Sequence, residues 1–379
     1  MKKTVSRNTG SRLILLALSF CPALVLAAPP SVAPQLVLLP RIDGIKTSET
    51  GIPMEVRAAG DELFVVPVRA TNVFFKLDLG SGRTSRITVV APSAVTHLSL
   101  ESVERLGANA WVASAGWIEN GASRNGLLFF GNDGKVERYV GYGIGIRSLA
   151  VSVDGSLLAA AVQEPLDPLS TDVEAPTKNT LAFFDLQGKL LSLESANSQN
   201  RYSKFDEMHR FHRYRKAYFI RDTALITYPE SASRFPVPAV YVVGSGALSA
   251  ALHSGSVKKA PRDYESGTVP FHTPKVVGVS PDTFRALNIV PVVLHDALNY
   301  LVVWVAVPPS LLNRSTPNRD QGRVFLALYA PSGKEAETFF ELPSGVRVSE
   351  VTSSPDGRAF VIYSQDISQE WSVAEVSAQ

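Results

Sequence analysis

The segment VTSSPDGRAFVIYS, residues 351–364, points directly to the fold class of this chain. Its polar turn, Ser354-Pro355-Asp356-Gly357, is followed at once by the apolar run AFVIY. Glycine adopts positive φ at no steric cost and aspartate bonds back to the backbone, so Asp-Gly suits a tight turn. A turn followed by a β-branched and aromatic run predicts short antiparallel strands.

Two kinds of segment recur along the chain. The turn before an apolar strand returns in VSVDGSLLAAAV, residues 151–162, and in VSPDTFRALNIV, residues 279–290, where Thr283 replaces the glycine. The second kind is a hairpin in which an apolar strand, a glycine tip and a more polar strand follow one another. The five tips are Gly82, Gly134, Gly188, Gly246 and Gly333, with spacings of 52, 54, 58 and 87 residues. A period near fifty with several short strands is typical of a propeller blade.

We therefore predict an all-β chain folded as a single β-propeller, with six blades favoured and seven possible. The Ser354-Pro355-Asp356-Gly357 turn resembles the repeat of WD-repeat-like and TolB-type β-propellers, a resemblance that implies the fold and no activity. The Trp-Asp dipeptide of true WD repeats is absent. QLVLLPRI, residues 35–42, is expected to pair with WSVAEV, residues 371–376, because joining both chain ends in one blade removes free sheet edges. A pair of β-sandwiches is the alternative fold.

The first 27 residues have the pattern of a secretory signal, with a basic head, an apolar stretch at 13–20 and small residues before a cleavage point after Ala27. Residues 28–34 would form a leader and 35–379 the propeller. Removing the signal leaves 33 basic and 35 acidic residues, so the net charge changes from +2 to −2. The single cysteine, Cys21, lies in the signal, and the bulky Phe20 before it disfavours lipid attachment. We expect a periplasmic or secreted protein with no spanning segment and no nucleic-acid partner.

Polar stretches rich in turn formers predict insertions near residues 201–221, 258–274 and 308–321. The first is basic and aromatic, with seven Lys and Arg residues against Asp206 and Glu207. A capping box at Ser203 predicts a short helix starting near Lys204. Charge and stacking would suit an anionic ligand or an acidic envelope or extracellular protein. The candidate binding residues are Arg201, Tyr202, Lys204, Arg210, Phe211, Arg213, Tyr214 and Arg215. The alternative is a solvated helix whose aromatic residues pack on a neighbouring blade.

Catalytic and metal-binding motifs are weak. Asp206, His209 and His212 have a spacing that would suit a divalent ion, but their basic neighbours oppose one. No catalytic residue and no cofactor is predicted, and the turn aspartates are expected to cap the backbone. The leading hypothesis is a non-enzymatic binding scaffold in the cell envelope. The alternative is a propeller hydrolase or lactonase with a site assembled from several blades at the central channel, where Glu101, Glu119, Asp222 or His295 could take part.

Overall fold

A computed structural model describes residues 35–68, 71–142, 144–163, 181–194, 216–221, 223–228, 239–243, 267–308, 322–333, 335–365 and 369–378. These residues form six four-stranded antiparallel sheets, numbered here from 1 to 6 along the chain. In sheets 1 to 5 the four strands are consecutive in sequence, and sheet 6 combines the last three strands with the first.

The strands of the first three sheets have the following bounds. Sheet 1 contains β2 (Pro53–Ala59), β3 (Glu62–Pro67), β4 (Val73–Asp78) and β5 (Thr84–Thr88). Sheet 2 contains β6 (Val95–Arg105), β7 (Ala110–Glu119), β8 (Ala122–Gly131) and β9 (Val136–Tyr142). Sheet 3 contains β10 (Gly145–Val151), β11 (Leu157–Gln163), β12 (Leu181–Asp185) and β13 (Leu190–Glu194).

The other three sheets complete the molecule. Sheet 4 contains β14 (Lys216–Ile220), β15 (Thr223–Tyr228), β16 (Ala239–Val243) and β17 (Gly267–Pro270). Sheet 5 contains β18 (Phe284–Leu294), β19 (Ala297–Ala306), β20 (Arg323–Tyr329) and β21 (Ala336–Glu341). Sheet 6 contains β22 (Arg347–Ser353), β23 (Ala359–Ser364), β24 (Glu370–Ala378) and β1 (Leu36–Lys46). A four-residue helix, α1 (Thr47–Thr50), and a 3₁₀ turn, Pro281–Thr283, are the helical elements of the described residues.

The sheets are arranged as a propeller, which confirms the predicted fold. The first strands of the sheets, β2, β6, β10, β14, β18 and β22, each contact the first strand of the next sheet, and β22 contacts β2. They therefore form a closed circle of innermost strands. Apolar side chains from neighbouring sheets pack between them, as where Phe183 of sheet 3 meets Phe219 of sheet 4. The second strands, such as β11 and β19, are almost continuously apolar because both of their faces are covered.

The two ends of the described chain meet in sheet 6. Strand β1 pairs antiparallel with β24, from Leu36 opposite Ala378 to Lys46 opposite Glu370. The indole nitrogen of Trp371 donates to Thr50 Oγ1 at 3.1 Å and ties β24 to the residues that follow β1. The predicted closure of the ring by its terminal strands is confirmed.

Local turn chemistry follows the sequence prediction. Four of the five turn aspartates cap backbone amides of their own turns, namely Asp78, Asp133, Asp154 and Asp185; Asp78 Oδ1, for example, accepts from the Ser81 amide at 2.7 Å. The fifth, Asp356, accepts instead from the Ser354 hydroxyl and the Arg358 side chain. The SPDG turn joins β22 to β23 as expected, with Gly357 at a φ of +91°. Four of the five glycine-tip hairpins are present as the third and fourth strands of a sheet.

Four sequence predictions were wrong in detail. Strand β16 pairs with β15 and β17 and not in the hairpin predicted around Gly246, which itself lies outside the described residues. Part of the predicted loop 258–274 is the strand β17. The turn predicted at the start of residues 279–290 does not join two strands of one sheet, because it precedes β18, the innermost strand of sheet 5. The turn that joins β18 to β19 is His295-Asp296. The predicted insertion 201–221 was too long, since Lys216–Ile220 is a fully buried innermost strand. Its hydrophobic residues Ala217, Phe219 and Ile220 supply the reason, because they pack between sheets.

Candidate functional site

The innermost strands place a polar residue at an equivalent position around the propeller axis. In five of them the pairing register shifts by a β-bulge directly before this residue. A bulge redirects the side chain that follows it. Here the bulges lie at matching positions in the five strands, so the polar residues after them occupy equivalent places. The residues after the bulges are Glu55, Ser102, Ser148, Asn288 and Glu350, and the sixth strand contributes Lys216, its first described residue.

Five charged side chains form a continuous chain at this level. Arg57 lies between two carboxylates, with its Nε 2.6 Å from Glu104 Oε1 and its Nη1 3.8 Å from Glu55 Oε1. Lys216 continues the chain, because its Nζ lies 3.2 Å from Glu55 Oε2 and 2.7 Å from Glu350 Oε1. The order is therefore Glu104, Arg57, Glu55, Lys216, Glu350, with alternating signs and a carboxylate at each end. We call these five residues, with Tyr218 and Asn288, the axial cluster.

The axial cluster spans the centre of the propeller. Lys216 lies on β14, whose neighbours in the circle are β10 and β18, yet its partners lie on β2 and β22. Arg57 of β2 also reaches β14, where its Nη2 donates to the Ala217 carbonyl at 2.8 Å and its guanidinium lies 4.9 Å from the Tyr218 ring centroid. These contacts join sheets that are not adjacent, so the cluster fills the axis with protein groups.

Uncharged polar groups complete the connections between innermost strands. Ser102 Oγ accepts from the Leu149 amide, and Ser148 Oγ accepts from the Ala217 amide, each at 3.3 Å. The Asn288 side-chain amide donates to Glu350 Oε1 and, at 3.3 Å, to the Val351 carbonyl. Each of the six innermost strands thus contributes to one polar layer.

Burial controls the electrostatics of the axial cluster. Arg57 and Lys216 each expose only 3% of their surface. Burial raises the pKa of Glu55 above its ordinary value, against the opposing attraction of Lys216 and Arg57. Burial likewise raises the pKa of Glu104, against the pull of Arg57. Burial alone would lower the pKa of Lys216, but Glu350 and Glu55 outweigh it and raise this pKa, so the amine stays charged.

Some buried polar atoms of the cluster have no hydrogen-bond partner among the described residues. They are Glu55 Oε1, Arg57 Nη1, Lys216 Nζ, the Tyr218 hydroxyl and Asn288 Oδ1. The contacts of Lys216 Nζ with Glu55 and Glu350 are ion pairs. Burial raises the pKa of Tyr218, so its phenol is neutral at ordinary pH. Carboxylates and a phenol at one place could in principle move protons, but each carboxylate is held by a cation or by amide donors. Within the described ranges, no group of three or more His, Cys, Asp or Glu side chains is suited to hold a metal ion.

Among the described residues, none of the sequence-predicted site residues belongs to the axial cluster. The binding candidates between Arg201 and Arg215, and the metal candidates Asp206, His209 and His212, lie outside the described residues, as does Asp222. The hydrolase candidates are dispersed. Glu101 pairs with Arg147 at 2.9 Å, Glu119 Oε1 accepts from the Tyr139 hydroxyl, and His295 is a turn residue with a φ of +47°.

Sequence reasoning missed the axial cluster completely. The sequence pattern places Lys216 in the basic stretch 201–221 and predicts no site at Glu55, Arg57 or Glu350. One sequence feature could have indicated the cluster. Charged residues occur inside short strand-like segments that are otherwise apolar or small, namely MEVRAA (54–59), RKAYFIR (215–221) and VSEVTS (348–353). A charge inside a buried strand requires a partner, and here the partners come from distant sheets.

Comparisons with known proteins support the fold and reach no further. No protein-family profile matches the sequence, and no curated protein matches it. A protein of unknown function from Dyadobacter fermentans is 9% identical with a TM-score of 0.50, over 91% of this chain and 99% of that one. Hydrazine synthase from Kuenenia stuttgartiensis is 12% identical with a TM-score of 0.41, over 86% and 96%. The β-propeller domain of the trilobed protease from Pyrococcus furiosus is 12% identical with a TM-score of 0.36, over 84% and 79%.

Within the part of the chain that the structure describes, no helix has the length and apolar character needed to span a bilayer.

Proposed function

We propose that this protein is an exported, non-enzymatic β-propeller that binds an acidic protein in the cell envelope through the basic and aromatic stretch 201–215. Export is supported by the signal pattern of residues 1–27, and the stretch carries the residue types that recognise anions. The observation that carries the proposal is the concentration of positive charge in this one segment of a chain that is otherwise close to neutral.

The position of the stretch in the chain also supports a binding role. It follows β13, the outermost strand of sheet 3, and precedes β14, the innermost strand of sheet 4. Connections between rigid sheets are where propellers and similar scaffolds carry their recognition residues. The charged groups of the axial cluster, by contrast, are buried and engaged with one another, which suits a structural role for the centre of the ring.

The binding proposal is tested with poly-L-glutamate as the probe, at low and at high salt. The variant R210E/R213E/R215E is expected to bind roughly tenfold or more weakly, because three ion pairs with the polyanion, of about 0.5 kcal/mol each, are replaced by repulsion. The matched control is R83E/R86E/K135E, which reverses three exposed basic residues on sheets 1 and 2. Equal binding by the two triple variants would refute the proposal, and a preference for heparin over poly-L-glutamate would redirect it to an anionic glycan.

Export has its own test. A fusion of residues 1–40 to alkaline phosphatase, which is active only outside the bacterial cytoplasm, is expected to give activity. Replacing Lys2, Lys3, Arg7 and Arg12 by glutamate should reduce this activity strongly, since the basic head is part of the signal. Activity equal to that of a fusion without residues 1–27 would contradict export.

A hydrolase remains the second candidate, and one specific observation favours it. Three carboxylates, those of Glu55, Glu104 and Glu350, converge on the axis, and two of them have raised pKa values of the kind that general acids need. Turnover of a panel of lactones and aryl esters by the wild-type protein, abolished in a folded E104Q variant, would support this candidate. Turnover unchanged by E104Q would show that the axial cluster is not the site.

A further inference from the structure

The axial cluster contains more negative than positive charge. Its three carboxylates face two cations, so full ionisation would leave one uncompensated negative charge in a buried site. We propose that the axial cluster binds one proton at neutral pH, held by Glu55 and Glu104 on the two sides of Arg57, and releases it as the pH rises. The propeller axis then acts as a pH-sensitive link between the innermost strands.

Glu350 has more polar contacts in the axial cluster than the other two carboxylates. It lies 2.7 Å from Lys216 Nζ and also accepts from the Asn288 side-chain amide and, at 2.9 Å, from the Val351 amide. All three contacts end on its Oε1 atom: one ion pair and two hydrogen bonds. Glu55 and Glu104 have fewer such contacts, so we place the extra proton on these two carboxylates.

Glu55 and Glu104 are held less firmly in the charged form. The Oε1 atom of Glu55 has no hydrogen-bond partner among the described residues, and the nearest guanidinium nitrogen is 3.8 Å away. Glu104 has one cation within reach, Arg57, which it shares with Glu55. The burial of both carboxyl groups disfavours the ionised state further, in agreement with the upward direction of both pKa values.

Among the described residues, Arg57 and Lys216 are the cations within ion-pair distance of Glu55, Glu104 and Glu350. Strands β10 and β18 contribute Ser148 and Asn288, which are uncharged, and β14 contributes the neutral Tyr218 next to Lys216. Glu101 and Arg147, the bulge residues of β6 and β10, form an ion pair with each other at 2.9 Å. A proton is the simplest species that restores neutrality.

The proposal fixes the direction of the pH dependence. A carboxyl whose pKa is higher in the folded than in the unfolded chain binds more protons when folded at every pH between the two values. The free energy of unfolding therefore falls as the pH rises from about 4.5, the ordinary glutamate value, to the folded pKa. The exposed carboxylates whose pKa values are lowered, such as Asp61 and Glu341, titrate below this window and contribute little within it.

Urea unfolding of the whole protein between pH 5 and pH 9 tests the linkage. For one released proton, the unfolding equilibrium constant is expected to rise by up to about tenfold per pH unit in the window. E104Q or E55Q should remove this dependence of the unfolding equilibrium constant on pH. At pH 9 either variant should be more stable than the wild type, because the axial cluster then has as many cations as carboxylates. The matched control E341Q changes an exposed carboxylate of β21 and should keep the slope. A slope kept by both E104Q and E55Q, or no slope in the wild type, overturns the proposal.

Infrared spectroscopy of the wild type gives a readout that needs no variant to fold. Protein labelled at its glutamate carboxyl carbons is expected to show the carbonyl stretch of a protonated carboxylic acid at neutral pH, in a folded sample where ordinary glutamates are ionised. The band should disappear as the pH rises and should be absent from the urea-unfolded protein at the same pH. A folded wild-type spectrum with ionised carboxylates only would overturn the proposal.

Discussion

Carboxylates at the propeller axis and carboxylates in the turns have pKa values shifted in opposite directions, because their surroundings differ. Glu104 is buried, its cation partner Arg57 comes from another sheet, and its pKa is raised. Asp78, in contrast, lies in an exposed turn and has a lowered pKa. The cause of the Asp78 shift is hydrogen bonding from Ser81 and Gly80, which are within three residues of it. The nearest cation of each axial carboxylate lies on the strand of another sheet, namely Arg57 for Glu104 and Lys216 for Glu55 and Glu350.

The difference separates local from global sources of stability. A turn aspartate satisfies the backbone of its own hairpin, so its removal affects one turn. An axial cation connects several sheets at once, so its removal leaves buried carboxylates without compensation. Replacing an axial cation should therefore cost much more than a substitution in a turn.

The largest effect is expected for Lys216→Met. The methionine fills similar space, but it leaves Glu55 and Glu350 without the cation that lies 3.2 and 2.7 Å from them. The expected loss in the free energy of unfolding is about 3–5 kcal/mol, measured by urea denaturation at pH 7. The control Lys189→Met changes an exposed lysine and should stay within about 0.5 kcal/mol of the wild type. Equal effects of the two substitutions would show that the axial cluster does not stabilise the fold.

An intermediate effect is expected for Gly357→Ala in the SPDG turn. The φ of Gly357 is +91°, and a Cβ there would lie 2.8 Å from the backbone nitrogen of Val293. The expected loss is about 3 kcal/mol from strain and overpacking together.

Gly155→Ala is the matched control for that turn. Gly155 occupies the same place in the turn between β10 and β11, with a φ of +67° and open space around it. Strain alone should cost about 1 kcal/mol there. Thermal unfolding of the two variants distinguishes them, and a larger loss for Gly155→Ala would contradict the packing of the last turn against sheet 5.

The smallest effect is expected for Asp78→Asn. The amide keeps an acceptor for the turn but loses the charge that the Ser81 and Gly80 amides stabilise. Because the pKa of Asp78 is lowered in the folded chain, its contribution is present above its ordinary value of 3.8 and is lost as the pH falls through the folded value. The variant should therefore be slightly less stable than the wild type at pH 7 and equal to it at strongly acidic pH. A deficit that persists in acid would point to altered turn geometry.

The same contrast explains what the sequence could predict. Turns such as Ser354-Pro355-Asp356-Gly357 and hairpins with glycine tips are coded by neighbouring residues, so the propeller and its closing strand pair were predicted correctly. The axial cluster depends on β-bulges and on the meeting of Glu55, Lys216 and Glu350, which no local pattern encodes. Lys216 illustrates the difficulty, because its basic neighbours in sequence suggested a surface patch while the structure buries it.

A double-mutant cycle on Lys216 and Glu350 tests the central claim most directly, namely that charged groups stabilise one another across the propeller axis. The free energies of unfolding of Lys216→Met, Glu350→Gln and the double variant are measured by urea denaturation at pH 7. The expected coupling energy is about 1–3 kcal/mol, with the double variant more stable than the sum of the single losses implies. Single losses that add to within about 0.5 kcal/mol would contradict the claim.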